Sequence, residues 1–485
     1  MLELDVSQQL QYNNNTMKHT YPKLFFYAAG AILAATLVLS CQAAESRDSI
    51  TYKYPAEDSV MAGFPEAGFA VISDLHLYNH PSLGSSGAAF EKTMNADRKL
   101  LLDSIDLLDY TIKTIILSDV SFVLISGDLT KDGELINHTL AARKLKTFTD
   151  AGIAVYVIPG NHDINNPGAV SYHGDSTVQE STVSAEEFAL IYDDYGYGSA
   201  LFRDDDSLSY VAEPVEGLWL LAIDACRYRE NEPGKEEIVS GKISQRTADW
   251  MAGVLQAAMN ENKAVMAMMH HGVVEHWKGQ SKLHPDYLIN GYEKFGKFLA
   301  SWNVRTVFTG HYHAQDIALG QFGEKFIWDI ETGSLITAPC PVRYINFTNN
   351  YINVATMTIV NRLHPGTDFA DKAHAFVKKT VVMEARSVLK KYRVSDKDAD
   401  YIADAVGDAF AAHYSGDENP ELRPLFEKSK LGLWGRFVYN QQKYTLDGLW
   451  SDPPPADNYI LEWLMGDQLI PLDCCSAASE YSPQE

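Results

Sequence analysis

The chain has 485 residues, of which 46% are hydrophobic, and a formal net charge of −24. That size and apolar content suit a globular protein of about two or three domains with a large core. So negative a chain repels polyanions, which excludes a nucleic-acid duplex held through its phosphates, while a small anion stays admissible wherever a cation neutralises it locally.

Lys18 and Lys23 precede an apolar run from Leu24 to Leu39, short for a membrane span and shaped like a secretory signal. The run ends in VLSC, Val38 to Cys41, which resembles the bacterial lipoprotein box. The resemblance implies cleavage before Cys41, lipidation of its thiol and an exported lipoprotein on the cell envelope, inner or outer membrane left open. The alternative is a plain signal peptide in which Cys41 stands by chance. MKHTYPKLFF, from Met17, itself has the shape of a signal start, so Met17 is an alternative initiator. Cys226, Cys340, Cys474 and Cys475 have neither zinc-knot nor disulfide-framework spacing.

A polar tether is expected over residues 42–66, after which short apolar runs alternate with helical patterns. GFAVISD (68–74), SFVLISGD (121–128), IAVYVIPG (153–160), LWLLAID (218–224), AVMAMMH (264–270) and VRTVFTG (304–310) read as buried strands. Residues 97–117 and a segment near 138–150 have helical spacing. The alternation predicts an α/β fold whose sheets are covered by helices, with ligands at the carboxyl ends of the strands.

Those ends carry Asp74 and His76 in SDLH, Asp128 in SGDLT, Asn161 and His162 in GNHD, His270 in MMHHG, and His311 and His313 in TGHYH. Any one of them would pass as a turn or a hydrogen-bonded loop residue. Five in one chain form a pattern. Carboxylates and imidazoles with one amide and no thiol suit Mn, Fe, Zn or Ni rather than a structural zinc site built on Cys.

The ordered series D-x-H, GD, GNHD, H, GHxH resembles the calcineurin-like metallophosphoesterase superfamily over about residues 66–360. The resemblance implies a sandwich of two β-sheets flanked by helices and two divalent metal ions. Asp74, His76, Asp128 and His313 would hold one ion, and Asp128, Asn161, His270 and His311 the other, with Asp128 as the bridge. His162 would face the substrate and Asp163 would orient it. Two cations about 3.5–4 Å apart clamp the attacking and leaving oxygens of an in-line displacement and acidify a bound water to hydroxide. His271 is expected to line the pocket.

Departures from subfamily patterns narrow the reading. Purple acid phosphatases place a Tyr ligand three residues after the bridging Asp, where this chain has Lys131. Protein Ser/Thr phosphatases carry an Arg in GDxxDRG, whereas GDLTKDGE here has none. The form is closer to bacterial phosphodiesterases of the superfamily.

The segment 164–200 is read as a long insertion after the catalytic loop, with Asn165, Asn166, Tyr172 and His173 as candidate substrate contacts. Arg343, in ETGSLITAPCPVR, is a candidate anion contact at the pocket rim. The catalytic domain is expected over residues 67–362, followed by a mainly helical C-terminal domain at 363–485, with helices at 369–392 and 396–414 and a linker at 452–459. The expected function is hydrolysis of a small phosphoester, phosphodiester before phosphomonoester. The alternative from another class is a non-catalytic envelope lipoprotein reusing the scaffold.

Overall fold

A computed structural model describes residues 50–462 except 57–61, 349–350, 417, 452, 454, 456 and 458. The strands in chain order are Ala67–Ile72 (β1), Phe122–Ile125 (β2), Ala154–Val157 (β3), Val170–His173 (β4), Ser176–Gln179 (β5), Phe202–Arg203 (β6), Tyr210–Val215 (β7) and Leu218–Ile223 (β8). Then follow Ala264–Met269 (β9), Thr306–Thr309 (β10), Asp316–Phe322 (β11), Lys325–Glu331 (β12), Pro341–Phe347 (β13), Tyr351–Thr358 (β14) and Tyr459–Glu462 (β15). One sheet runs β15-β14-β13-β1-β2-β3 and the other β11-β12-β10-β9-β8-β7-β6.

The parallel parts explain the sequence pattern. β1, β2 and β3 pair in parallel, as do β8, β9, β10 and β12. A parallel strand covered on both faces has no polar side to alternate with. β2, β8 and β9 are accordingly buried at every residue, including all three Met of β9. The covering helices are amphipathic: Ser104–Ile116 buries Leu107, Leu108, Ile112 and Ile115, which fall on one face at a period of 3.6. Helix Gln245–Asn260 starts at Ser244, whose hydroxyl accepts the Thr247 N–H and satisfies one of the four open donors.

The two sheets pack face to face. Phe69 of β1 stacks on Phe122 at 4.6 Å and meets Phe308 of β10 edge-on at 5.3 Å. The Tyr210 hydroxyl on β7 donates to the Val157 carbonyl of β3 at 3.0 Å, tying the sheets at a second point.

The sandwich and the helical C-terminal region agree with the expected fold, and two expectations change in detail. The tether is partly core, because Tyr52 stacks on Phe298 at 4.8 Å, Phe64 meets Phe347 edge-on at 5.6 Å, and Trp302 Nε1 donates to the Lys53 carbonyl. These aromatics bury against the sandwich, so only a shorter stretch is left to act as a spacer. Beyond residue 363 the helices are Phe369–Lys391, Asp396–Ser415 and Leu433–Leu449. The segment read as a linker then leads into β15, which pairs antiparallel with β14 and returns the chain to the first sheet. Cys226 and Cys340 are both free thiols. The signal segment, Cys41, Cys474 and Cys475 lie outside the described residues. No helix among the described residues is long and apolar enough to cross a membrane.

Candidate metal centre

The carboxyl ends of the parallel strands from both sheets converge. Asp74 and His76 follow β1, Asp128 follows β2, Asn161 and His162 follow β3, His270 follows β9, and His311 and His313 follow β10. Asp74, His76, Asp128, Asn161, His270 and His311 are all buried. Three overlapping sets present ligand atoms to one another: Asp74, His76 and His313; His76, Asp128 and His162; Asp128, His270 and His311.

Backbone geometry aims these side chains. Asp74, His76, Asp128, His311 and His313 have φ of 51°, 34°, 49°, 75° and 66°. Outside Gly this left-handed region costs roughly 1–3 kcal/mol per residue and persists only where the surroundings enforce it. Gly160 makes room, since a Cβ there would collide with the Asp128 carboxylate, and a Cβ at Gly127 would lie 2.5 Å from His270 Nδ1.

The atoms are set for cations. His270 donates Nδ1–H to the Ser126 carbonyl at 2.7 Å, which leaves the Nε2 lone pair facing Asp128 Oδ2 at 3.4 Å and Asn161 Oδ1 at 3.2 Å. His76 Nε2 also stands 3.4 Å from Asp128 Oδ2, so this one oxygen faces a ligand of each group. His313 Nε2 lies 3.2 Å from His76 Nε2 and 3.3 Å from Asp74 Oδ1. Asp74 Oδ2 accepts from the Ser73 hydroxyl and the His311 N–H, but its buried Oδ1 has no hydrogen-bond partner. A buried carboxylate oxygen without a donor is costly, and two ring nitrogens 3.2 Å apart cannot both turn lone pairs inward without a cation between them. The residues fit divalent metal. Asp128 is held ionised: burial alone would raise its pKa, but His270, His162 and His76 keep it well below the ordinary value.

His162 is supported by a residue that the sequence reading passed over. Its Nδ1 bonds Asp132 Oδ1 at 2.9 Å, and Asp132 in turn pairs with the buried Lys131 ammonium. Asp163, expected in the orienting role, makes no bond to the His162 ring. Its carboxylate instead accepts from the Leu129, Thr130 and Gly160 N–H groups and from the Thr130 hydroxyl, all at 2.9–3.0 Å. The turn after His162 sends Asp163 inward to join the loops that carry Asp128 and Asn161. His162 Nε2 stays 4.0 Å from Asp128 Oδ2, and its side chain is 17% exposed, the most open among the imidazoles described so far. Burial and the Lys99 charge oppose its protonation, yet Asp128, the Asp132 bond and Glu237 carry its pKa up to about 9.

The proposed substrate contacts fare differently. His271 is fully buried and donates Nε2–H to the Val239 carbonyl at 2.9 Å; it lies beneath the site, not along the pocket wall. Asn166 is buried and spends its amide on the His162 carbonyl and the Gly168 N–H, as a turn builder. Asn165 alone of that pair is exposed. Tyr172 is buried against Tyr78 and Phe90 with its hydroxyl on Thr93, while His173 is exposed at the end of β4 and bonds Ser171. Arg343 is no rim residue. It is 0% exposed and donates to the carbonyls of Asp316, Glu331 and Asp457, because three chain segments end around it with open acceptors.

The calcineurin-like phosphoesterase family model matches residues 68–315. The chain is a calcineurin-like phosphoesterase. Membership makes it a metal-dependent phosphoester hydrolase and makes divalent metal its cofactor. No curated protein matches this phosphoesterase. It is similar to the crystal structure of a dimetal phosphatase from Danio rerio, at 17% identity over 60% of this chain and 96% of that one with a TM-score of 0.41. It is also similar to a purple acid phosphatase from yellow lupin (Lupinus luteus), at 12% identity, 62% of this chain and 53% of that one, with a TM-score of 0.41. At the position where purple acid phosphatases have their Tyr ligand, the phosphoesterase has Lys131, which is engaged with Asp132.

Proposed function

We propose that the phosphoesterase works with two divalent ions bridged by Asp128 and that it cleaves phosphodiesters in preference to monoesters. The observation that carries the bridge is the pair of 3.4 Å distances from Asp128 Oδ2 to His76 Nε2 and His270 Nε2. Asp74, His76 and His313 would hold one ion with Asp128, and Asn161, His270 and His311 the other. When bound, the ions supply Lewis acidity toward the phosphoryl oxygens and a water acidic enough to attack phosphorus. The chain's own part is positioning and proton handling. His162 presents Nε2 to the phosphoryl group, where it stabilises charge on a non-bridging oxygen or protonates the departing alkoxide. Asp132 fixes the ring and stabilises the imidazolium. The neutral Asn161 limits the negative charge of the ligand set, so an anionic ester is still attracted.

The test is a panel on metal-reconstituted protein comparing bis-p-nitrophenyl phosphate with p-nitrophenyl phosphate. A higher kcat/KM for the diester is expected; a higher value for the monoester overturns the preference, and inactivity on both overturns catalysis at this site.

We also propose that the phosphoesterase is an envelope lipoprotein anchored through Cys41. The support is the Lys-flanked apolar run ending in VLSC.

A further inference from the structure

We propose that Glu237 reads the charge of the ester, admitting a monoanionic phosphodiester and disfavouring a dianionic phosphomonoester. The inference rests on the reading of the site given above. Glu237 Oε1 lies 3.9 Å from His162 Nε2, the nitrogen that faces the phosphoryl group, and its side chain is 23% exposed. Among the described residues no Lys or Arg forms an ion pair with it; its charged neighbour is the His162 ring itself.

The backbone that follows Glu237 is also held in place. The Asn231 amide accepts the Ile238 N–H at 2.9 Å and donates to the Ile164 and Asn165 carbonyls, mooring this loop to the segment that follows His162. On the other side, the Val239 carbonyl takes the His271 Nε2–H at 2.9 Å, and Arg227 bonds the Ser240 hydroxyl at 2.7 Å. The two residues after Glu237 are therefore tied to the segment that follows His162 on one side and to His271 on the other. Approach between Gly241 and His271 is so close that a Cβ at Gly241 would lie 2.7 Å from the imidazole. The loop cannot easily carry Glu237 away when substrate enters.

The consequence is electrostatic. A phosphomonoester carries close to two negative charges at neutral pH, its second pKa being about 6, and a diester carries one. An oxygen near His162 Nε2 is also near Glu237. A diester therefore brings one negative charge up to Glu237 and a monoester close to two, and like charges in a partly buried site repel appreciably.

The test is Glu237→Gln in the full metal-loaded chain, with Glu237→Asp beside it, assayed on both nitrophenyl esters. The Gln variant is expected to raise kcat/KM for p-nitrophenyl phosphate relative to bis-p-nitrophenyl phosphate by about tenfold, to bind inorganic phosphate more tightly as an inhibitor, and to do so mainly through KM. Glu237→Asp should stay near the wild-type ratio. An unchanged ratio in an active wild type overturns the role of Glu237 and leaves the phosphoesterase reading standing. An equal loss on both esters overturns it too, since Glu237 would then serve only to hold His162. A metal-loaded wild type inactive on both esters removes the underlying reading, and this inference falls with it.

Discussion

His162 hands its Nδ1–H to Asp132 at 2.9 Å, while its chain neighbour Asp163 turns the other way into four backbone and hydroxyl donors. The two carboxylates thus divide orientation of the His162 ring from assembly of the loops around it.

Their substitutions should separate accordingly. Asp132→Asn is expected to keep the metals, to lower stability because the buried Lys131 ammonium loses its counter-charge, and to lower kcat by roughly 10- to 10²-fold, more for esters with poor leaving groups, because the protonated ring loses its partner. Asp163→Asn is expected to lower stability by roughly 2–4 kcal/mol, because an amide cannot accept from all four donors at once. Thermal unfolding and steady-state rates on both variants check this. An Asp163 variant with normal stability and depressed kcat would return the orienting role to Asp163.

Metal content should distinguish bridge, ligand and catalyst. Asp128→Asn is expected to lose more metal than His270→Ala, which should lose one ion and nearly all activity. His162→Ala should keep both ions and lose roughly 10²–10⁴-fold in turnover. Metal analysis of the purified variants beside their rates decides it; two ions per chain in the Asp128 variant would end the bridging assignment.

A buried cluster away from the metal ligands should shape stability against pH. His276 Nδ1 meets Asp316 Oδ2 at 2.7 Å, and its Nε2 faces Asp329 Oδ2 at 3.4 Å and Glu331 Oε2 at 3.5 Å. Burial opposes its charge, but Asp329, Glu331 and Asp316 win and raise its pKa well above the ordinary value. A base whose pKa is raised on folding stabilises fully below its unfolded pKa, about 6.5, and loses that contribution as pH rises through the folded value. The melting temperature is therefore expected to fall on the alkaline side, and His276→Gln to be less stable at pH 6 and to show a shallower alkaline decline. Parallel decline in both proteins from pH 6 to 10 would rule the cluster out as the cause.

Cys41→Ser tests the anchor. Without the thiol no lipid can be attached, so the variant is expected to leave the membrane fraction or to remain unprocessed. Fractionation and processing identical to wild type would remove the lipoprotein proposal.

Six of the seven strands with parallel partners were legible because each is a short apolar run, and five of those runs end at the ligand candidates. What escaped has physical reasons. Asp132 stood in view in GDLTKDGE, but there Lys131 and the missing Arg drew notice; a second carboxylate four residues past Asp128 was the available signal. Arg343 looked like an anion contact since a cation near a phosphate site invites that reading, yet its carbonyl partners at Asp316, Glu331 and Asp457 come from distant chain segments that no local pattern joins. Tyr52, Tyr54 and Phe64 lay in a polar stretch whose three aromatics carry the packing.

The ligand atoms come together only when the two sheets meet, and His76 and His313 are 237 positions apart along the chain. Closing so long a loop is slow and must precede any reward from coordination. A cation therefore cannot nucleate folding here as it does in a small zinc domain; it arrives at an almost finished protein. Its effect would belong on the way out: with the proposed ligands from both sheets, the sheets could not part without breaking coordination, and a bound ion would slow unfolding while leaving the folding rate nearly untouched.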